Sequence, residues 1–358
     1  MNIIIYAGMI ERKLWSKIEP ITKIKFIKKI YLIRKEEFKN SKIKCYFPSG
    51  IWNKTALLKN LYCLFKIIQI VNKQDITYLI GIGLIPHGII INIIGKIFNI
   101  KKINLLMGKN DLFLTFPTKK TIQKILFKIL YMADIIGTRG TNSKKWLIKQ
   151  GINSKKIFIP HNIFNFKDFY IKKNLLKEYD LIYVGLFKKY KRLDLLLEIL
   201  KRLVYDYKLK NIKLLLVGNG PMYKELKIII KKYDIEKNVQ FKNSENVKYL
   251  NDLYNKSKLF IMTSHGEGLP MVLVEALSCG LPVLAFNDAD ISDIVIEGKN
   301  GLLCEINNLD KFSKNIYKLL KEKKYLKEMQ SNTKMFKKEK KMQYNLNYNI
   351  KLWEKILK

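Results

Sequence analysis

The sequence predicts an α/β protein of two doubly wound domains, each a parallel sheet flanked by helices. Three observations carry this. At 358 residues and 48% hydrophobic, the chain is too long for one ordinary core and apolar enough to bury two. Short runs rich in Ile, Val and Tyr alternate with longer helical patterns, the order expected of βαβ units. A polar stretch without a clear apolar stripe, NFKDFYIKKNLLKEYD from Asn165, separates two such series.

The first series reads NIIIYAG, KIYLIR, ITYLIGIG, KINLLMG, DIIGTRG and KIFIPHN, and assigns residues 1–170 to an N-terminal domain. Within it, ITYLIGIGLIPHGIIINIIGKIFNI at 76–100 is apolar enough to suggest a membrane span. Pro86, the nearby glycines, His87 and Lys96 interrupt it, so a buried strand followed by a buried helix is expected. The second series, YDLIYVGLF, IKLLLVGNG, NVQFKN, KLFIMTS and LPVLAFND, is spaced by helices such as RLDLLLEILKRLVYDY and assigns 171–335 to a second domain. The chain then turns lysine-rich and helical, and 336–358 closes on Leu352, Trp353, Ile356 and Leu357 at helical spacing, a stripe that must dock on something.

Charge narrows the partners. The chain has 68 Lys+Arg against 30 Asp+Glu, a net +38, and residues 1–170 alone hold 31 basic and 8 acidic side chains. Such an excess attracts polyanions. An anionic membrane surface fits a peripheral protein, with ERKLWSKIEPITKIKFIKK near the N-terminus as the candidate face. Compositional bias toward Lys, Ile and Asn is the competing explanation. Nucleic acid is not expected, because the basic residues are dispersed and no zinc spacing, RNP-like aromatic pair or helix-turn-helix pattern occurs. Cys45, Cys63, Cys279 and Cys304 lie far apart with no CxxC, as in a reduced cytoplasmic protein without disulfide or zinc. The start MNIIIYAGMIERK has no secretory pattern, so an inside location is expected.

The chemistry concentrates in TSHGEGLPMVLVEALSCGLPVLAF, 263–286. A strand ends near Ser264, a glycine-bearing loop follows, and Pro270 suits the first turn of a helix, where its missing N–H costs nothing. Gly280 supplies a left-handed cap and Pro282 blocks continuation. In open α/β sheets the ligand crevice lies beyond the carboxyl ends of the strands, and a helix N-terminus there offers N–H groups to an anion. Glu267 in the loop and Glu275 on the helix can approach one ligand from different directions, and carboxylates accept sugar hydroxyls well. Gly218 and Gly220 bracket a turn suited to close backbone approach.

This string resembles the E-x7-E signature of glycosyltransferase family 4, nucleotide-sugar-dependent transferases of the GT-B fold. LIYVGLFKKYKRLDLLLE, KLLLVGNGP, GKNGLLCEINN and IFIPHNI are similar to further landmarks of that family. Residues 157–310 carry the likeness, whereas 1–156 match only in pattern. The resemblance implies two Rossmann-like domains facing across a cleft, the first binding acceptor and the second the donor, with the final helix crossing back to the first. It implies that Glu267 meets the donor sugar, that Glu275 binds the ribose, and that Gly268, Leu269, Pro270, Met271 and Gly185 line sugar and diphosphate. Lys191 stands where the family places a diphosphate-binding lysine, a fixed cation that stabilises a departing diphosphate. Leu186 stands where the family commonly has arginine, and Lys188, Lys189 and Arg192 are the alternatives for a second charge.

The histidines His87, His161 and His265 all lie in or beside loops after strands, and with Asp111 they are the acid–base or acceptor-side candidates. The DAD motif at 288–290 suggests a metal, but it lies in a loop of the second domain where the implied mechanism needs none. The expectation is a retaining transferase with no cofactor or metal. It moves sugar from a nucleotide-sugar, a UDP-sugar by preference, onto a glycan or lipid-linked acceptor in bacterial surface polysaccharide, lipopolysaccharide or glycan assembly. The alternatives are a soluble sugar or sugar-phosphate acceptor, a noncatalytic membrane-assembly scaffold, and a polyanion binder.

Overall fold

A computed structural model describes residues 1–108, 120–243 and 246–358, and Asp111 lies outside the described residues. The chain divides into two compact units, Met1–Phe164 with Gln343–Lys358, and Asn165–Met342. The first boundary falls a few residues earlier than the expected 170/171. The reason is local: the Phe169 ring packs edge-on to Tyr254, and the backbone N–H and carbonyl of Tyr170 are held by Asn251 and Asn255.

The first unit holds a parallel sheet of β1 (Asn2–Ala7), β2 (Lys29–Ile33), β3 (Ile43–Tyr46), β4 (Tyr78–Ile82), β5 (Lys101–Leu105), β6 (Ile135–Gly137) and β7 (Ile157–Phe158), in the order β3-β2-β1-β4-β5-β6-β7. Its central strands are continuous apolar runs because both faces are covered. Helix α1 (Glu11–Thr22) covers one face with Leu14, Ile18 and Ile21. On the other face α2 (Ala56–Lys73), α3 (Ile89–Ile97) and α4 (Lys120–Tyr131) follow, and α5 (Thr141–Lys149) packs beside α4. Thr55 caps α2, accepting the Leu58 N–H at 3.2 Å. The stretch 76–100 resolves into β4, a short turn and α3.

The basic segment expected to meet a membrane is largely committed elsewhere. Leu14, Ile18 and Ile21 of α1 are fully buried, and Lys17, itself buried, donates to Asn162 Oδ1 at 2.8 Å. A helix whose apolar face already belongs to the core cannot also insert it into lipid.

The second unit holds β8 (Tyr179–Val184), β9 (Leu214–Val217), β10 (Val239–Lys242), β11 (Ser257–Met262), β12 (Val283–Phe286) and β13 (Gly301–Cys304), all parallel, in the order β10-β9-β8-β11-β12-β13. Around it lie α6 (Leu193–Tyr205), α7 (Tyr223–Lys232), α8 (Val247–Asn255), α9 (Met271–Ser278), α10 (Leu309–Lys321) and α11 (Lys323–Lys340). Leu196, Leu197, Leu200 and Leu203 form the buried stripe of α6 at helical spacing. Each stabilises the fold by about 1.5–3 kcal/mol relative to exposure.

The last helix, α12 (Leu346–Leu357), belongs to the first unit, where it lies against α1 and buries Trp353 and Leu357. The Trp353 ring meets Phe158 edge-on at 5.1 Å. Residues 336–342, expected with that helix, stay with the second unit because Phe336 is buried there on α11.

Candidate active site

In the second unit the chain leaves β8 toward one edge of the sheet and β11 toward the other, so the loops at their carboxyl ends diverge and open a crevice. Hydrogen bonds tie these two loops together. Thr263, fully buried after β11, donates its hydroxyl to the Arg192 carbonyl at 2.9 Å, and the His265 N–H donates to the Tyr190 carbonyl at 2.8 Å. The result brings Lys191 and Glu267, 76 residues apart in the chain, into a direct ion pair.

That pair is the electrostatic centre. Its side chains are only 11% and 13% exposed, which weakens solvent screening and fixes both groups. Lys191 Nζ also lies 5.4 Å from the centre of the Tyr190 ring. A cation and a carboxylate held this way can divide one polar ligand between them, the carboxylate accepting hydroxyl protons and the ammonium facing a phosphate.

Helix α9 begins beside this pair. Pro270 is its N-cap, in extended conformation, one position before the first turn where it was expected. The helix ends in a Schellman motif: Gly280 has φ 77°, its N–H reaches the Leu277 carbonyl, and the Leu281 N–H reaches that of Ala276 at 3.0 Å. Gly268, Leu269 and Pro270 are buried at the start of α9 and Met271 is half-buried. The first-turn N–H groups of any helix lack intrahelical partners, which suits an anion.

Glu275, on the second turn of α9, accepts a hydrogen bond from the Tyr254 hydroxyl at 2.8 Å. Burial first, and then the Glu275 charge, push the Tyr254 phenol far above its usual range, so it stays a proton donor at every working pH. Sequence reading missed Tyr254, since a tyrosine on an amphipathic helix carries no signal of its own.

Asp288 is the second omission. It is nearly fully buried, takes the Gly266 N–H on Oδ2 and the Ala289 N–H on Oδ1 at 2.8 Å, and lies 3.3 Å from His265 Nδ1. The DAD motif is visible in sequence, where paired aspartates suggest only a metal ligand. In the fold, Asp288 anchors the loop that bears Glu267. Among the described residues, no group of three or more His, Cys, Asp or Glu side chains could hold a metal ion.

The glycines serve a neighbouring backbone. A Cβ on Gly218, whose φ is 138°, would lie 2.0 Å from the Gly185 carbonyl oxygen, and one on Gly220 would lie 2.6 Å from that of Phe187. The β9 turn therefore presses directly on the β8 loop that positions Lys191. Leu186 is exposed. Of the alternative cations, Arg192 already binds Asp194 through Nε and Nη2.

Two further histidine candidates lie in the other unit. His87 and His161 belong to the first unit. Burial, with the nearby Lys35 charge, lowers the His87 pKa to about 4, and its ring meets Tyr6 edge-on at 4.5 Å. His161 donates its backbone N–H to Asn349 at 3.2 Å and lies against the Tyr344 ring.

Residues 166–336, close to the whole second unit, match the family model described as glycosyl transferases group 1. An uncharacterized glycosyltransferase of Haemophilus influenzae is 31% identical over 186 residues, covering 51% of this chain and 50% of the relative. The chain thus spans about half the length of the first curated relatives it matches. A Campylobacter jejuni protein named N-acetylgalactosamine-N,N'-diacetylbacillosaminyl-diphospho-undecaprenol 4-alpha-N-acetylgalactosaminyltransferase is 26% identical over 219 residues, covering 60% of this chain and 58% of its own. Among solved structures, Anabaena HepE in complex with UDP-glucose superposes with a TM-score of 0.76 at 14% identity, covering 100% of this chain and 99% of its own. At that identity the likeness shows the fold, which is GT-B.

Proposed function

We propose that the protein is a family 4 glycosyltransferase that moves a sugar from a UDP-sugar to a glycan or lipid-linked acceptor with retention of configuration. The observation that carries this reading is the Lys191–Glu267 ion pair beside the start of α9, at the switch point of a unit that matches the group 1 transferases. Glu267 accepts hydroxyls of the donor sugar, and Glu275, held by Tyr254, accepts those of the ribose. Lys191 and the first turn of α9 take up the charge that develops on the departing diphosphate. That interaction strengthens along the reaction coordinate, which is what lowers a barrier. The UDP-glucose bound by the Anabaena protein supports a uridine donor, and the diphospho-undecaprenol in the Campylobacter protein's name supports a lipid-linked acceptor. Four free cysteines fit a cytoplasmic site of action.

Release of UDP or GDP from a panel of nucleotide sugars, with and without lipid-extracted acceptors, tests the reading. UDP release in the wild type that falls 10²-fold or more in Lys191→Ala is expected. Tyr254→Phe is expected to raise the donor KM by about tenfold with a smaller change in kcat, since it removes a hydrogen bond to a charged group. Asp288 is occupied by the loop it anchors, so turnover is expected to survive EDTA. No release and no nucleotide binding under any condition would leave a scaffold or polyanion binder as the better account.

A further inference from the structure

Among the described residues, the first unit carries an exposed apolar surface on one helix. Helix α2 buries Cys63, Ile67 and Ile70 against the sheet, yet its opposite side shows Leu57, Leu61 and Phe65, which are 69%, 44% and 55% exposed. These three lie at i, i+4 and i+8, hence on one stripe. The turn Gly50–Asn53 just before α2 extends it with exposed Ile51 and Trp52, and the Trp52 ring sits 6.0 Å from Tyr62 on α2. Single exposed apolar residues are ordinary, whereas a contiguous stripe of this kind marks an interaction face.

The charges around the stripe choose its partner. Between Phe47 and Gln74 there are four lysines, Lys54, Lys59, Lys66 and Lys73, and no acidic residue. Lys66 Nζ lies 5.7 Å from the centre of the Tyr62 ring and 5.8 Å from that of Phe65. Apolar residues with a tryptophan at one end, flanked by lysines, match the boundary between the head groups and acyl chains of an anionic bilayer. A second copy of this chain, at net +38, would bring like charge against like.

We infer that α2 and its preceding turn form the face by which the protein docks on an anionic lipid surface, with Leu57, Leu61, Phe65 and Trp52 at the acyl boundary and the lysines on head groups. This goes beyond the transfer chemistry and does not depend on it. It also moves the docking face from α1, whose apolar side is buried, to α2.

The test is sedimentation of the full chain with vesicles of phosphatidylcholine, with and without one-third phosphatidylglycerol. Binding to the anionic vesicles that weakens with salt is expected, with little binding to the neutral ones. Lys54→Glu/Lys59→Glu/Lys66→Glu is expected to lower the partition coefficient on the order of a hundredfold or more. Leu57→Ser/Leu61→Ser/Phe65→Ser is expected to lower it at least tenfold. All six positions are exposed or half-buried, so melting temperature should change little. Trp52 fluorescence quenched by brominated lipid in the wild type, and unquenched residual emission in Trp52→Phe, gives a second readout that needs no destabilising variant. Equal binding to both vesicle types, unchanged binding in both triple variants, or a solution dimer that the serine variant abolishes without any effect of lipid would each overturn the inference.

Discussion

At the scale of single residues, the Lys191–Glu267 pair governs the stability of the candidate site. Removing one member leaves a mostly buried charge unmatched, and Lys191→Met or Glu267→Gln alone is expected to cost about 3 kcal/mol in urea denaturation. The double variant is expected to recover part of that loss, because neither buried charge remains. Strictly additive costs would show that the pair contributes no mutual stabilisation. His87 supplies a pH signature of its own. Its pKa is lowered from 6.5 to about 4 by burial, so in the acid range the unfolded chain binds a proton that the folded chain refuses. Its contribution is present above pH 6.5 and is lost as pH falls toward 4. The melting temperature is expected to decline across that window, and to decline less steeply in His87→Gln. An identical slope in the variant would refute the assignment.

At the scale of elements, the site depends on how closely loops approach one another. The β9 turn touches the β8 loop backbone to backbone, with room for hydrogen only at Gly218. Gly218→Ala must displace the Gly185 carbonyl and also strains a positive φ. The expected result, under the proposed function, is a loss of nucleotide affinity together with a lower melting temperature, read by nucleotide titration and calorimetry. Gly298→Ala, at a positive φ with nothing near its would-be Cβ, isolates the backbone cost alone. Equal effects of the two would show that the close approach contributes nothing. Asp288 acts at the same scale, since it fixes the Gly266 N–H and hence the loop that carries Glu267.

At the scale of the whole molecule, the carboxyl terminus helps to complete the first core. Trp353 is 1% exposed among Ile3, Leu14, Ile18 and Phe158, although more than 180 residues separate it from the last of these. Trp353→Ala is expected to cost about 3–5 kcal/mol in the stability of the first unit. Proteolysis should release fragments of residues 1–164 while the second unit persists. Unchanged protection of the first unit would show that α12 contributes little to that core.

Much of this protein was legible in its sequence because the information is local. Alternating Ile-rich runs and helical patterns give parallel sheets, since strands buried on both faces must be apolar throughout. Pro270 and Gly280 bracket α9 through their own backbone preferences, and Glu267, Glu275 and Lys191 stand out within strings of fixed spacing. The tertiary structure decided what spacing cannot encode. The meeting of Lys191 with Glu267, the hold of Tyr254 on Glu275 and the anchoring by Asp288 all depend on which loops lie at one sheet edge. The stripe of α1 was expected at a surface and is buried, while that of α2 is exposed, yet both helices are apolar and lysine-bearing. Periodicity shows that a helix has an apolar side. Only the packed fold shows whether the core or the solvent receives it.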